Sequence, residues 1–235
     1  FLIIIAVLCL TLSFSKKANA VTLQGKVVYD TVLTAVSSGY VKALKLNKLN
    51  LTLSKVDSVN IGAGGTYTLN VNTGDTVYIV AYASAFLDFV PGYYPGTNNW
   101  ITGTAIIANT AQTNLDVKVR KLYNSTFPGR ITGTVSYNNG VPLKDAIIYL
   151  KTQIGEMISY GISNADGSYS IPNVAEGSYL MTTNRIAFNN TSVFGVELNY
   201  AFGTELPNQN FSLQQTVSIR QIGTERPDKF ILFQN

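Results

Sequence analysis

Histidine is absent from this 235-residue chain, and cysteine occurs once, at Cys9. Without an imidazole there is no His-based general base and no Ser-His-Asp or Cys-His machinery. Metal sites built on Cys and His are excluded in the same way. Charge is also scarce: only 13% of residues are charged, and the formal net charge is +4. Two of the cations, Lys16 and Lys17, lie in a segment expected to be removed, so the mature chain is expected to be close to neutral. No basic stripe of the kind that tracks nucleic acid is present, and nucleic acid is not an expected partner. The 13 acidic residues form no evident pair. Asp166 and Glu176 come nearest to one, across a hairpin, whereas a glycosidase needs two carboxylates at a fixed separation in a cleft. No long segment carries a capped, 3.6-residue apolar period. No cofactor is expected, and the chain is expected not to be an enzyme.

Apolar residues make up 46% of the sequence, enough to build a core. Tyr is abundant (14), and Val, Ile and Thr recur, which favours pleated, half-buried strands. Residues 67–71, 76–80 and 132–137 alternate apolar and polar positions with period two. Asn138-Asn-Gly140 and Asn164-Ala-Asp166-Gly167 supply turn chemistry, because Asn, Asp and Gly tolerate positive φ. An all-β fold follows.

Residues 1–14, FLIIIAVLCLTLSF, have the length of a signal-peptide apolar region and are too short to span a bilayer as a helix. Ala18-Asn-Ala20 is a small-x-small cleavage site, placing the cut before Val21. A buried core helix and a pilin-type helix are the alternatives. A Met and a basic region are expected upstream of Phe1. At the other end, residues 224–235 read TERPDKFILFQN. Pro227, Phe230, Leu232, Gln234 and Asn235 resemble the opening of the C-terminal sorting region carried by cargo of the bacterial type IX secretion system. That resemblance implies a Tyr-Pro-Asn-Pro continuation and contact with the export machinery. The alternative is an ordinary edge strand over 229–233.

Between the ends the sequence repeats. Leu23-Gln-Gly25-Lys-Val-Val-Tyr29 aligns with Ile131-Thr-Gly133-Thr-Val-Ser-Tyr137, and Gly65-Thr-Tyr67-Thr-Leu69 with Gly167-Ser-Tyr169-Ser-Ile171. Gly74-Asp-Thr-Val-Tyr78 aligns with Gly177-Ser-Tyr179, and Asn114-Leu-Asp-Val-Lys-Val119 with Asn210-Phe-Ser-Leu213. A repeat this long is a domain rather than a solenoid unit. The expected organisation is a signal peptide at 1–20 and a first module at 21–120. A linker at 121–128, a second module at 129–215 and the start of a sorting region at 216–235 follow. Each module is expected to be an Ig-like or prealbumin-like Greek-key β-sandwich. The second copy, with Gly133, Gly140-x-Pro142, Asp145-Ala146, Asn164-x-Asp166-Gly167-x-Tyr169 and Gly177-x-Tyr179, resembles the carboxypeptidase regulatory-like domain. The first copy departs from that pattern at Ser37-Ser-Gly39-Tyr-Val-Lys-Ala43 and Gly64-Gly65. The resemblance implies a prealbumin-like sandwich related to Cna B-type adhesin repeats and to carbohydrate-binding-like folds. It implies a structural or spacer module without catalytic residues. Some Cna B-type relatives carry Lys–Asn isopeptide bonds, for which Lys26 or Lys42 with Asn114 or Asn210 are the candidates here.

The candidate contact surface is the loop 89–100, with Tyr93, Tyr94, Asn99 and Trp100. Aromatic faces beside amides suit stacking and hydrogen bonding to a sugar; the alternative is that they cover the sandwich edge. The Asn164–Asp166 turn is expected to be an Asx turn rather than a Ca²⁺ site, which needs more oxygens than it supplies. The expectation is thus a bacterial secreted or cell-surface protein whose modules serve as spacer or adhesion units. The alternatives are a carbohydrate-binding module using 89–100 and an accessory region of a secreted peptidase. Expected partners are surface glycans or other cell-surface proteins.

Overall fold

A computed structural model describes residues 19–84, 88–122, 126–138 and 140–216. The first half consists of β1 (Ala20–Tyr29), β2 (Tyr40–Leu46), β3 (Leu53–Asn60), β4 (Thr66–Asn72), β5 (Thr76–Tyr82), β6 (Gly92–Tyr93), β7 (Ala105–Ile107) and β8 (Val117–Val119). The second consists of β9 (Gly129–Tyr137), β10 (Val141–Pro142), β11 (Ile147–Lys151), β12 (Met157–Ile162), β13 (Ser168–Val174), β14 (Gly177–Asn184), β15 (Ser192–Leu198), β16 (Glu205–Leu206) and β17 (Phe211–Leu213). Two single 3₁₀ turns, at Ala63–Gly65 and Tyr200–Phe202, are the only helical elements among the described residues. The chain is all-β, as its composition implies.

The two halves pair their strands in the same way. β1 runs between β4, antiparallel, and β8, parallel; β9 runs between β13, antiparallel, and β17, parallel. β2 pairs with β3 and β5, and β11 with β12 and β14. The correspondence extends to single residues. Gly25 lies opposite Tyr67, and Gly133 opposite Tyr169. The Tyr67 hydroxyl donates to the Leu115 carbonyl, and the Tyr169 hydroxyl to that of Gln209. A Cβ on either glycine would fall 2.3 Å from the Leu115 oxygen or 2.1 Å from that of Gln209, so only glycine lets the incoming chain approach so closely. One position on, Asp116 Oδ1 accepts from the Lys26 N–H and Asn210 Oδ1 from the Thr134 N–H, each at 2.9 Å. These contacts tie each closing strand beside its opening strand.

Burial distinguishes outer from inner sheets. β4 alternates buried and exposed residues strictly, with Tyr67, Leu69 and Val71 pointing into the first core. β5 is buried continuously from Ile79 to Tyr82, and β11 from Ile147 to Leu150. In β5, Ile79 and Ala81 enter the first core, while Val80 and Tyr82 enter a separate cluster. In β11, Ile148 and Leu150 enter the second core, while Ile147 and Tyr149 enter that same separate cluster. The inner sheets of the two sandwiches therefore pack back to back, and each is covered on both faces.

The expected linker starts inside this packing. Leu122 is buried in the seam between the sandwiches, and its N–H donates to the Asp88 carbonyl at 2.9 Å. Ala20, the expected last residue of the leader, is the first of β1 and pairs with Asn72. The rest of the leader, including Ala18, lies outside the described residues, as do Pro227, Phe230, Leu232, Gln234 and Asn235.

Candidate functional site

The loop 89–100 is anchored by β6, which adds to the edge of β5 through Val80–Tyr93 and Ala81–Gly92. Its aromatic residues then divide. Phe89 enters the first core, and Val90, Tyr93 and Trp100 enter the seam. Trp100 is 9% exposed. Its indole N–H donates to the Phe188 carbonyl of the second sandwich at 2.7 Å, and its ring meets Tyr78 edge-on at 6.2 Å. Asn99 Oδ1 accepts from the Ile101 N–H at 2.9 Å and from the Asn184 amide at 3.4 Å. From the opposite side, the Tyr149 hydroxyl donates to the Pro91 carbonyl at 2.9 Å. Tyr93, 3% exposed, and Trp100 thus have no ring face left for a sugar. The sugar-stacking expectation is corrected for these two: β5 and β11 both need an apolar partner layer, and the loop's aromatics supply part of it. Only Tyr94, half-buried at the edge of the first core, still borders open space.

Polar groups cross the seam beside the aromatics. Arg185 is 4% exposed. Its guanidinium donates to the carbonyls of Lys144 and Ile186, each at 2.8 Å, and of Leu51 in the first sandwich at 3.4 Å. Burial pulls its pKa down, and Asp145 with Tyr93, Tyr82 and Tyr137 pushes it back up. Tyr40 and Tyr82 stack at 5.3 Å, with the Lys42 ammonium 5.2 Å and 4.8 Å from their ring centres. Desolvation lowers the Lys42 pKa, and it raises the hydroxyl pKa values of Tyr82, Tyr93 and Tyr149. Each of these net shifts favours the uncharged form, as removal from water does.

The remaining candidates are kept apart. Asp166 accepts from the Ser168 N–H at 3.0 Å and its hydroxyl at 2.7 Å, as an Asx turn does, and these bonds hold its carboxyl below the ordinary range. Glu176 instead accepts from the Tyr200 N–H at 3.1 Å. Among the described residues no three His, Cys, Asp or Glu side chains group as metal ligands. Lys42 is committed to the two seam tyrosines, and Asn210 to Thr134. A hollow of about 400 Å³ between the modules is bordered by Arg120, Lys121, Phe127, Glu156, Met157 and Tyr179. Its cations are already partnered, Arg120 with Asp30 at 2.6 Å and Lys121 over the Tyr29 ring at 5.4 Å.

Arg185, Tyr149 and Tyr160 were not singled out by sequence. The available signal was the unbroken apolar runs at 146–150 and 77–83, where the alternation expected for 76–80 is not kept, since strands buried on both faces lose their alternation.

Residues 130–214 match the carboxypeptidase regulatory-like domain family. No curated protein matches the chain. Among solved structures it is similar to the Bacillus anthracis TIE protein, at 11% identity over 83% of this chain and 34% of that one, with a TM-score of 0.31. It is similar to a streptococcal ancillary pilin at 10% identity over 81% and 62%, TM-score 0.32. It is also similar to the shaft pilin spaA of Lactobacillus rhamnosus GG, at 8% identity over 83% and 96%, TM-score 0.29. The chain spans less than two thirds of the first two of these proteins.

Proposed function

We propose that this chain is a non-catalytic, exported surface protein in which two β-sandwiches act together as one stiff spacer or adhesion unit. The observation that carries this reading is the seam. Domains that move relative to each other meet through modest, rather polar interfaces. Here Trp100, Tyr82, Tyr93, Tyr149, Tyr160 and Ile147 form an apolar layer, and hydrogen bonds cross it at Trp100, Tyr149 and Arg185. Export is supported by the apolar run at 1–14 with its Ala18-x-Ala20 site and by the sorting-like residues from Pro227 onward. The absence of His, and the separate commitments of Asp166 and Glu176, support a role without catalysis.

Backbone ¹⁵N relaxation of the chain from Val21 onward tests the stiff unit. One correlation time for both sandwiches is expected; two independent times would overturn the reading. Export is tested separately, with a tagged full-length protein. Removing the region after Pro227 should abolish its appearance at the surface or in the medium, and unchanged secretion would remove the sorting assignment.

A further inference from the structure

A hollow of about 310 Å³ lies against the solvent side of β8 and is lined by Tyr94, Pro95, Gly96, Asn114, Asp116 and Lys118. Asn114, Asp116 and Lys118 are exposed, whereas Leu115, Val117 and Val119 between them are buried in the first core. Burial alternates along 114–119, so an amide and a carboxylate just before β8 and an ammonium on β8 lie in one exposed row. The facing wall is Tyr94-Pro95-Gly96. It is fixed to the row by the Lys118 N–H, which donates to the Pro95 carbonyl at 3.2 Å. Gly96 has φ +151°, and a Cβ there would come within 2.7 Å of the Lys118 Cβ, so the wall lies directly on the row. Asp116 Oδ1 accepts from the Lys26 N–H, which orients the carboxylate and leaves Oδ2 available. Among the described residues no hydrogen bond engages the Asn114 amide, the Lys118 ammonium or the Tyr94 hydroxyl.

Among the described residues the second sandwich lacks this arrangement, so the hollow is not a by-product of the fold. The strand registers shift the sequence alignment of Asn114 with Asn210 by two residues: Asn208, with φ +63°, corresponds to Asn114, with φ +60°, and Asn210 to Asp116. Asn210 is further occupied by the Thr134 hydroxyl at 3.0 Å. No loop like the one after β6 lines that row, because β15 takes the place of β6 beside β14.

We propose that this hollow binds a neutral saccharide. A pyranose presents an apolar C–H face, which suits Tyr94 and Pro95, and an edge of vicinal hydroxyls. An amide gives and accepts hydrogen bonds, a carboxylate accepts and an ammonium donates, so the row answers such an edge from both sides. One anion and one cation cancel, which disfavours charged sugars. The volume is at the lower end of the range for small-ligand sites, about 300–1,000 Å³, and suits one or two rings. Of the aromatic loop this retains Tyr94 and releases Tyr93 and Trp100, which are needed in the seam.

The test uses the chain from Val21 onward on an array of neutral gluco-, manno- and xylo-oligosaccharides, followed by calorimetric titration of the best binder. Asp116→Asn keeps the carbonyl that receives the Lys26 N–H, as Asn210 does in the second sandwich, and Asn114→Gly suits the positive φ at that position. Both variants should fold, and each should weaken binding about tenfold, equivalent to roughly 1.4 kcal/mol. Tyr94→Ala should abolish binding, and Trp100→Phe should leave it unchanged. Absence of binding to any neutral oligosaccharide at about 10 mM would overturn the proposal. So would binding that ignores the Asn114 and Asp116 variants, or preference for an acidic glycan. None of these outcomes touches the spacer reading, which rests on the tumbling of the two sandwiches.

Discussion

Replacing Trp100 by alanine tests whether the two sandwiches form one folding unit. A buried indole removes about 200 Å² from water, and at roughly 25 cal/mol per Å² that is on the order of 5 kcal/mol. Aromatic-to-alanine changes in cores cost about 3–5 kcal/mol, which agrees. The change also removes the donor to the Phe188 carbonyl, and a buried acceptor left without a partner costs a further ~1–3 kcal/mol. Trp100→Phe keeps most of the apolar area and loses mainly that bond, so it should cost about 1–3 kcal/mol. Urea unfolding, followed by circular dichroism and calorimetry, reads both. The wild type should unfold in a single transition. Trp100→Ala should lower the midpoint strongly and split the curve, because losing the seam lets each sandwich melt alone. Trp100 is the only tryptophan in the chain, so its fluorescence reports directly on the seam. Native emission should be blue-shifted and resist acrylamide. Water-like emission, or an alanine variant destabilised by less than about 1 kcal/mol, would show that the indole is not packed between the modules.

Gly133→Ala and Gly25→Ala each force a Cβ against a backbone carbonyl, and each should lower stability in urea by about 1–3 kcal/mol, with the loss in the sandwich that carries it. Arg185→Leu strands the carbonyls of Lys144, Ile186 and Leu51, and should cost at least ~2 kcal/mol by the same assay, whereas Arg185→Lys should cost less. Stability should also fall in alkali. The Tyr29 hydroxyl is pushed up from 10 to about 12, first by burial and then by its bond to Asp88. A raised pKa stabilises the fold fully below the unfolded value near 10, and that contribution disappears as pH rises through about 12. Absorbance titration at 295 nm should therefore show the buried tyrosines, Tyr29 among them, ionising late and together with unfolding; their ionisation near pH 10 with the fold intact would contradict the burial.

The repeat and its turns were legible because their signals are local. Gly133 and Tyr169 sit in recognisable strands, and the turn from Asn164 to Ser168 contains its own hydrogen-bond partners. The seam was much less legible. Trp100 and the Phe188 carbonyl are brought together only by folding, and nothing around Arg185 marks it as buried. The aromatic loop invited a binding reading because composition reports which side chains are present and not which way they face. What the sequence did contain, without being used, was the loss of alternation in β5 and β11. Outer β4 alternates and inner β5 does not, and that contrast is the imprint of a second covering layer.

That contrast also bears on what the functional unit is. The family match over 130–214 describes one sandwich, yet that sandwich alone would present Ile147, Tyr149, Tyr160 and Ile186 to water. The first sandwich alone would present Leu44, Val80, Tyr82, Tyr93 and Trp100. Soluble monomers rarely expose contiguous apolar patches of that kind. Each module therefore depends on the other for a face it cannot cover by itself, unlike beads joined by a free linker. The spacer proposed above would hold its two ends at a fixed separation, because bending it at the joint would mean exposing the seam to water. On this argument, stiffness comes from the second face of β5 and β11, and polar substitutions at Val80 or Ile147 should loosen the pair while leaving the strand pairing within each sandwich in place.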